Sequence, residues 1–202
     1  MSAPQPPAAA AENLRQAIAA IDTAKREEAT SLSFSHLWLE ELPGSLCELT
    51  TLERLDLDFM SIKRLPECLR HFPRLHRISF LCGSLREVPE GIEHAQSLRR
   101  VDLTDNFLTA IPPRLTELAN LRELVLQHNS ITELPEHLLR LQRLTELSLS
   151  HNGLTTLPHW LVELEELAGL DLMANPIGSF PDALTHFRSL KSLDLARTQL
   201  TT

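Results

Sequence analysis

Hydrophobic positions along most of the chain recur with a period of 23 residues. The leucines that open successive periods are Leu52, Leu75, Leu98, Leu121, Leu144, Leu167 and Leu190. Ala29 stands one period before Leu52, so residues 29–189 hold seven full units and residues 190–202 begin an eighth. A fixed period of this length predicts an architecture of stacked repeats.

Each unit follows the pattern LxxLxLxxNxLxxLPxxLxxLxx, as in LRELVLQHNSITELPEHLLRLQR over residues 121–143. The LxLxx part alternates like a half-buried strand, and the later LPxxLxxL fits an irregular or short helical return. One unit cannot bury its own leucines. Stacked units can, at about 1.5–3 kcal/mol per buried aliphatic side chain before entropy. The pattern therefore predicts a coil with a parallel sheet along one side.

Two further positions mark every turn of this coil. The fifteenth place is Pro in each full unit, where it fixes φ and no ladder hydrogen bond is donated. At the ninth place an Asn amide can satisfy backbone groups that the bend leaves inside the stack, where an unpaired group costs about 1–3 kcal/mol. The expected asparagine ladder is Asn106, Asn129, Asn152 and Asn175. Other units place Leu37, Met60, Gly83 and Thr198 there, so we expect a less regular N-terminal half.

With these motifs, residues 29–202 resemble the leucine-rich repeat proteins, specifically the 23-residue subclass LPxxLxxLxxLxxLxLxxN. The resemblance implies an α/β leucine-rich repeat solenoid, a curved right-handed coil with a parallel concave sheet of about eight strands. It also implies recognition of another protein. The stretch AIDTAKREEATSLSFSHLWLEELP is similar to the start of such regions in Roco GTPases. The sequence contains no phosphate-binding GxxxxGK[ST], so no GTPase activity is carried over.

Both ends of the chain depart from the repeat. Residues 1–10 are rich in Pro and Ala without an apolar period, which predicts disorder. Residues 11–28 place Leu14, Ile18 and Ile21 on one helical stripe, which predicts a helix capping the first turn. The last unit reaches only its strand and turn. Its strand tolerates exposure, or two chains meet there, or the sequence is the recognition part of a longer parent.

Charge and cysteine usage exclude several classes of function. A net charge of -8 disfavours nucleic acid and anionic lipid as partners, because binding either requires clustered Lys and Arg. No apolar run approaches the roughly 18 residues of a membrane span, and the N-terminus lacks a signal-peptide pattern. Cys47, Cys68 and Cys82 are odd in number and lack CxxC spacing, which predicts neither a disulfide framework nor a zinc site. We expect a cytoplasmic protein, or one secreted into a host cell if it is a bacterial effector.

Motifs for catalysis are absent from the sequence. It contains no Gly-rich phosphate loop, HExxH or GxSxG. His128 and His151 share the eighth place of neighbouring units, but Asp105 and Ala174 flank them without completing a metal site. Cys82 has no base that the sequence identifies. We expect no catalytic residues, no metal and no cofactor, and therefore not an enzyme.

Residues between the strand leucines should point outward and form columns on the concave face. The third-place column includes Arg54, Arg77, Arg100, Glu123 and Glu146. These charges could merely solvate one another, at about 0–1 kcal/mol per exposed pair. Apolar residues on the same face have no core to fill, however, and apolar groups beside arginines are typical of interface hot spots. The predicted partner-binding residues are Arg54, Phe59, Arg77, Leu81, Arg100, Val125 and His128.

The sequence thus predicts a non-catalytic protein–protein interaction module that binds a partner on its concave face. One alternative is the recognition arm of a larger signalling protein or secreted bacterial effector, of ubiquitin ligase or GTPase type, whose catalytic part is absent here. Another alternative is a structural protein that self-associates through its C-terminal edge.

Overall fold

A computed structural model describes residues 7–60, 62–179 and 185–200. Over these residues the chain forms a helix, α1 (Pro7–Arg26), followed by eight three-residue strands. The strands are β1 (Ser31–Ser33), β2 (Arg54–Asp56), β3 (Arg77–Ser79), β4 (Arg100–Asp102), β5 (Glu123–Val125), β6 (Glu146–Ser148), β7 (Gly169–Asp171) and β8 (Ser192–Asp194).

The strands form one parallel sheet in which spatial order follows chain order. Neighbouring strands pair residues that are 23 positions apart, as Leu55 with Ile78 in β2 and β3. The repeat length therefore fixes the register, and equivalent side chains stand in columns across the sheet. The predicted solenoid with a parallel sheet of about eight strands and an N-terminal helix is confirmed.

The core is built from the same places of successive units, three of which lie in and around the strand. At the first place Leu52, Leu75 and Leu98 are fully buried. Strand centres such as Leu124 and the following sixth-place residues such as Leu126 are also fully buried. Each turn covers the leucines of the next turn, because no single unit has enough apolar neighbours to do so.

Short 3-10 helices return the chain to the next strand. Within the described residues they are Gly44–Glu48, Glu67–His71, Ile92–His94, Pro113–Glu117, Glu136–Arg140 and His159–Glu163. Where Pro43 precedes the first of them, its carbonyl accepts a hydrogen bond from the Leu46 amide at 3.0 Å. The third helix is shorter and begins after Gly91, whose φ is 89°. A Cβ at Gly91 would lie 2.5 Å from the Leu65 carbonyl oxygen, so this close approach requires glycine.

Helix α1 differs from the predicted cap at both its start and its buried face. It begins at Pro7, so residues 7–10 are helical where disorder was predicted, and residues 1–6 lie outside the described residues. Proline is favoured at the first helical position and alanine has the highest helix propensity. Leu14 and Ile18 are 44% and 40% exposed, so only Ile21 of the predicted stripe is buried.

The buried face of α1 consists of Ala17, Ile21 and Ala24, and it packs against β1 and the first 3-10 helix. Alanines allow a closer approach than Leu14 or Ile18 would, which explains the rotated face. Lys25 also donates a hydrogen bond to Glu48 in the first repeat, and this bond raises the pKa of Lys25. In the described ranges, no helix is long and apolar enough to cross a membrane.

The expectation that the cysteines form no disulfide is wrong, because Cys47 and Cys68 are bonded. Their Cα atoms are 5.6 Å apart, on 3-10 helices of neighbouring repeats. Cys47 occupies place nineteen of its unit and Cys68 place seventeen of the next, so stacking brings them together. Counting cysteines missed the pair, whereas comparing their places would have found it. The disulfide also removes the support that cysteine usage gave to the expectation of a cytoplasmic protein.

Candidate functional site

The asparagines of the repeat hold the turn that follows each strand. Asn152 donates through Nδ2 to the carbonyls of Leu126 at 2.8 Å and Leu149 at 2.9 Å. Its Oδ1 accepts a hydrogen bond from the Ile131 amide at 2.9 Å. Asn106, Asn129 and Asn175 make the same set of bonds one or two repeats away. Each amide thus joins two adjacent turns and fixes the end of the sheet.

One N-terminal turn, where Met60 replaces Asn, uses a different acceptor. Met60 takes the ninth place of its unit and is buried. The carboxylate of Asp58 accepts hydrogen bonds from the Leu81 amide at 2.8 Å and from the Ser79 hydroxyl at 2.7 Å. The carboxylate of Asp58, two positions before Met60, thereby links this turn to the next one.

We call the side of the sheet opposite the core the sheet face. Arginines form its most prominent row, since Arg54 pairs in register with Arg77, and Arg77 with Arg100. Neighbouring strands lie about 4.8 Å apart, so the backbone positions of these three arginines span about 10 Å. The row changes sign at the next strand, where Arg100 pairs with Glu123.

Arg100 is held by two carboxylates on the sheet face. It donates to Glu123, and at 3.2 Å to Asp102, whose side chain is 8% exposed. Burial opposes the charge of Arg100, but the hydrogen bonds to Glu123 and Asp102 outweigh it and raise its pKa. Arg54, Arg77 and Arg99, by contrast, make no ion pair with any described residue.

The eighth place of each unit bends the chain through the left-handed region. Phe59 has φ 60° and His128 has φ 53°. Phe59 stacks on His36 with ring centroids 4.3 Å apart, and His128 stacks on His151 at 4.1 Å. Stacking holds these rings in fixed positions along the end of the sheet.

The seven residues predicted to bind a partner lie on one side of the molecule, but they do not form a single cluster. Arg54, Arg77 and Arg100 adjoin one another at the strand starts. Phe59, which is 36% exposed, and His128, which is 48% exposed, lie three repeats apart at the other end of the strands. The half-buried Leu81 and Val125 lie between these two rows. The surface is therefore a broad face bordered by arginines on one side and aromatic rings on the other.

Sequence reasoning missed the second-place residues that extend the arginine row. His76, Arg99 and Arg122 line the same groove as the row, which has a volume of about 420 Å³. Comparing the second-place column would have found them, because it reads Glu53, His76, Arg99, Arg122 at the repeat spacing. The groove is thus more basic than the third-place column indicates.

Cys82 lies on the rim of the sheet face and carries a free, exposed thiol. Its Sγ donates to Asp105 Oδ2 at 3.6 Å. Partial burial, the hydrogen bond to Asp105 and the nearby negative charge raise the pKa of the thiol. Such a thiol is mostly protonated near neutral pH and is therefore a weak nucleophile. Across the described residues, no three His, Cys, Asp or Glu side chains are grouped closely enough to hold a metal ion.

Comparison with known proteins identifies the repeat. A family model described as leucine rich repeat matches residues 96–154 and again residues 119–177. No curated protein matches the sequence.

Solved structures with the same fold come from Leptospira interrogans, Listeria monocytogenes and Drosophila. A leucine-rich repeat protein of Leptospira interrogans has 20% identity and a TM-score of 0.58, over 90% of this chain and 64% of that one. An internalin of Listeria monocytogenes has 18% identity and a TM-score of 0.69, over 89% of this chain and 52% of that one. A chain of the Toll–Spatzle complex of Drosophila has 26% identity and a TM-score of 0.70, over 86% of this chain and 27% of that one. This chain is therefore shorter than each of these structures.

Proposed function

Because the chain is a leucine-rich repeat protein, we propose that it is a non-catalytic module that binds another protein through its sheet face. The observation that carries this proposal is the row formed by Arg54, Arg77 and Arg100 on a face that also exposes apolar side chains. Arginine and aromatic residues are enriched among the residues that dominate binding energy at protein interfaces.

The fold and the chemistry of the surface both support this assignment. The Toll–Spatzle complex is by its name an assembly of proteins, and one of its chains shares this fold. The raised pKa of Cys82 disfavours covalent catalysis by that thiol. A broad face with parallel columns of side chains suits recognition of an extended surface better than enclosure of a small substrate.

The test is a selection of displayed protein fragments on the immobilised full chain, followed by measurement of binding to variants. The double variant Phe59→Ala with Arg77→Glu removes both kinds of contact on the sheet face. A matched control carries Phe107→Ala and Arg140→Glu, which alter an exposed Phe and an exposed Arg away from that face. We expect the first variant to bind selected fragments at least about 10-fold more weakly and the control to bind normally. Equal binding by both variants would show that the sheet face is not the binding surface.

Self-association through the last strand is a second candidate. Leu193 of β8 is 39% exposed, and Leu195 is only partly buried. Such an edge can pair with another chain. Light scattering of the full chain and of Leu195→Glu tests this candidate, since equal monomer masses for both would reject it.

The role of recognition arm in a larger signalling protein or secreted effector is also a proposal. It is supported by the greater length of the structural relatives, of which this chain spans 64%, 52% and 27%. The extent of the reading frame in the source genome tests it. A stop codon directly after Thr202 would count against it.

A further inference from the structure

Two grooves of opposite charge lie side by side on the sheet face. The basic groove, of about 420 Å³, is lined by Glu53, Arg54, His76, Arg77, Arg99, Arg100, Arg122 and Glu123. Five arginines and two glutamates give it a charge of +3 when His76 is neutral. This concentration of positive charge stands in a chain whose net charge is -8.

The acidic groove covers the following strands and has a volume of about 260 Å³. Its charged lining residues are Arg100, Glu123, Glu146, Asp171 and Asp194, which give a charge of -3. Glu146 lies across Gly169, because a Cβ there would be 1.8 Å from Glu146 Oε2. The missing side chain at Gly169 leaves this carboxylate room to lie over the groove.

The Arg100–Glu123 ion pair belongs to both grooves and marks their boundary. On one side of the boundary, Arg54, Arg77 and Arg99 make no ion pair with described residues. On the other side, Glu146 likewise makes none among the described residues. The charges at the boundary are thus neutralised within the chain, while those of Arg54, Arg77, Arg99 and Glu146 remain available to a partner.

The arrangement is unfavourable for the isolated chain. Arg54, Arg77 and Arg100 stand directly opposite one another on adjacent strands, as do Glu123 and Glu146. Like charges in such positions repel. In addition, Nε of Arg77 and of Arg100 is buried and has no hydrogen-bond partner among the described residues. A partner of complementary charge would relieve the repulsion on both sides.

We propose that the sheet face binds an extended partner segment in which acidic and basic residues are segregated. The acidic part lies over β2–β5 in the basic groove, and the basic part lies over β6–β8 in the acidic groove. From β2 to β8 the sheet extends about 29 Å at 4.8 Å per strand, which about nine residues of extended chain can cover. This inference rests on the proposed function and specifies the partner of the same surface.

Partners with continuous negative charge match only the basic half of this face. A nucleic acid strand or an anionic membrane could contact Arg54 and Arg77, but its continuous negative charge would meet Glu146, Asp171 and Asp194 beyond the boundary. A polypeptide can change sign within a few residues, so it fits both grooves at once.

The test measures binding of fluorescent peptides to the full chain by anisotropy at low salt. The block peptide contains four Glu, two Pro and four Lys in that order, and the mixed peptide alternates the same Glu and Lys. A single-stranded oligonucleotide is the third probe. We expect the block peptide to bind about 10-fold more tightly than the mixed peptide, and to weaken when salt rises from about 50 to 200 mM.

Variants connect this binding to the two grooves. Arg77→Glu and Glu146→Lys should each weaken block-peptide binding at least about 5-fold. The controls Arg140→Glu and Glu133→Lys make the same charge changes at exposed positions off the sheet face and should bind normally. Charge segregation is overturned if both peptides bind equally, if the oligonucleotide binds more tightly, or if the block peptide fails to saturate by about 1 mM.

Two further outcomes separate this inference from its alternatives. If sedimentation shows a dimer that Arg77→Glu dissociates, the occupant is a second copy of the chain and the inference is wrong. If displayed fragments require Phe59 and Arg77 while block and mixed peptides bind alike, the interaction module stands and only the charge segregation fails.

Discussion

Replacing Asn152 with Ala should reveal how much the asparagine ladder contributes to stability. The Asn152 side chain is 9% exposed and makes its hydrogen bonds inside the stack. Alanine removes the carboxamide and leaves every backbone group of the turn in place. The variant therefore isolates the ladder from the leucine core.

The expected loss of unfolding free energy depends on which backbone groups lose their hydrogen-bond partners. The carbonyls of Leu126 and Leu149 each keep a second amide donor, from the neighbouring ladder asparagines at 3.1 and 2.9 Å. The Ile131 amide makes no other hydrogen bond to the described residues, so it is left buried and unpaired. One orphaned donor costs about 1–3 kcal/mol, and the other lost bonds bring the expected loss to about 2–4 kcal/mol.

Urea unfolding monitored by circular dichroism measures this loss, and hydrogen exchange at the Ile131 amide locates it. Asn120→Ala is the matched control, because Asn120 is exposed and bonds only at the surface. We expect the control to change the free energy of unfolding by less than about 0.5 kcal/mol. Equal losses for the two variants, or an unchanged exchange rate at Ile131, would refute the assignment of the ladder as a buried network.

Three further predictions concern the cysteines and the arginine row. Thiol titration of the denatured protein should count one free thiol before reduction and three after reduction of Cys47–Cys68. Reduction should also lower the free energy of unfolding by about 2–4 kcal/mol. Three thiols before reduction would contradict the disulfide. Arg77→Glu should raise the free energy of unfolding by about 0.5–1 kcal/mol, because the new glutamate faces Arg54 and Arg100 on the adjacent strands. The same variant should weaken partner binding. A lower free energy of unfolding would contradict the repulsion argument. Alkylation of Cys82 should reach its maximum rate at higher pH than a free thiol, since its pKa is raised and less thiolate is present at each pH, and Asp105→Asn should move the profile to lower pH; an unmoved profile would exclude Asp105 as a cause.

The repeat period made most of the fold predictable. Strands such as β4 and β5 begin 23 residues apart, because stacked turns must pair equivalent places. Once one strand is placed correctly, the repeat length gives the positions of the others. The role of Asn129 followed from the same logic, since a buried bend needs a group that both donates and accepts.

Features outside the period were harder to predict. Apolar spacing marked Leu14 and Ile18 as buried, but α1 docks through its alanines, and periodicity does not report the size of the facing surface. The Cys47–Cys68 pair was missed because cysteines were counted rather than aligned by place. The basic groove was underestimated because Arg99 precedes the strand and was not counted with the outward-facing columns.

The most direct test of binding at the sheet face is an NMR titration of the isotope-labelled full chain with a bound partner fragment or the block peptide. We expect the largest shift changes at the amides of β2–β8 and at the Nε–H of Arg54 and Arg77. Changes confined to the 3-10 helices on the opposite side, with the strand amides unperturbed, would contradict the account.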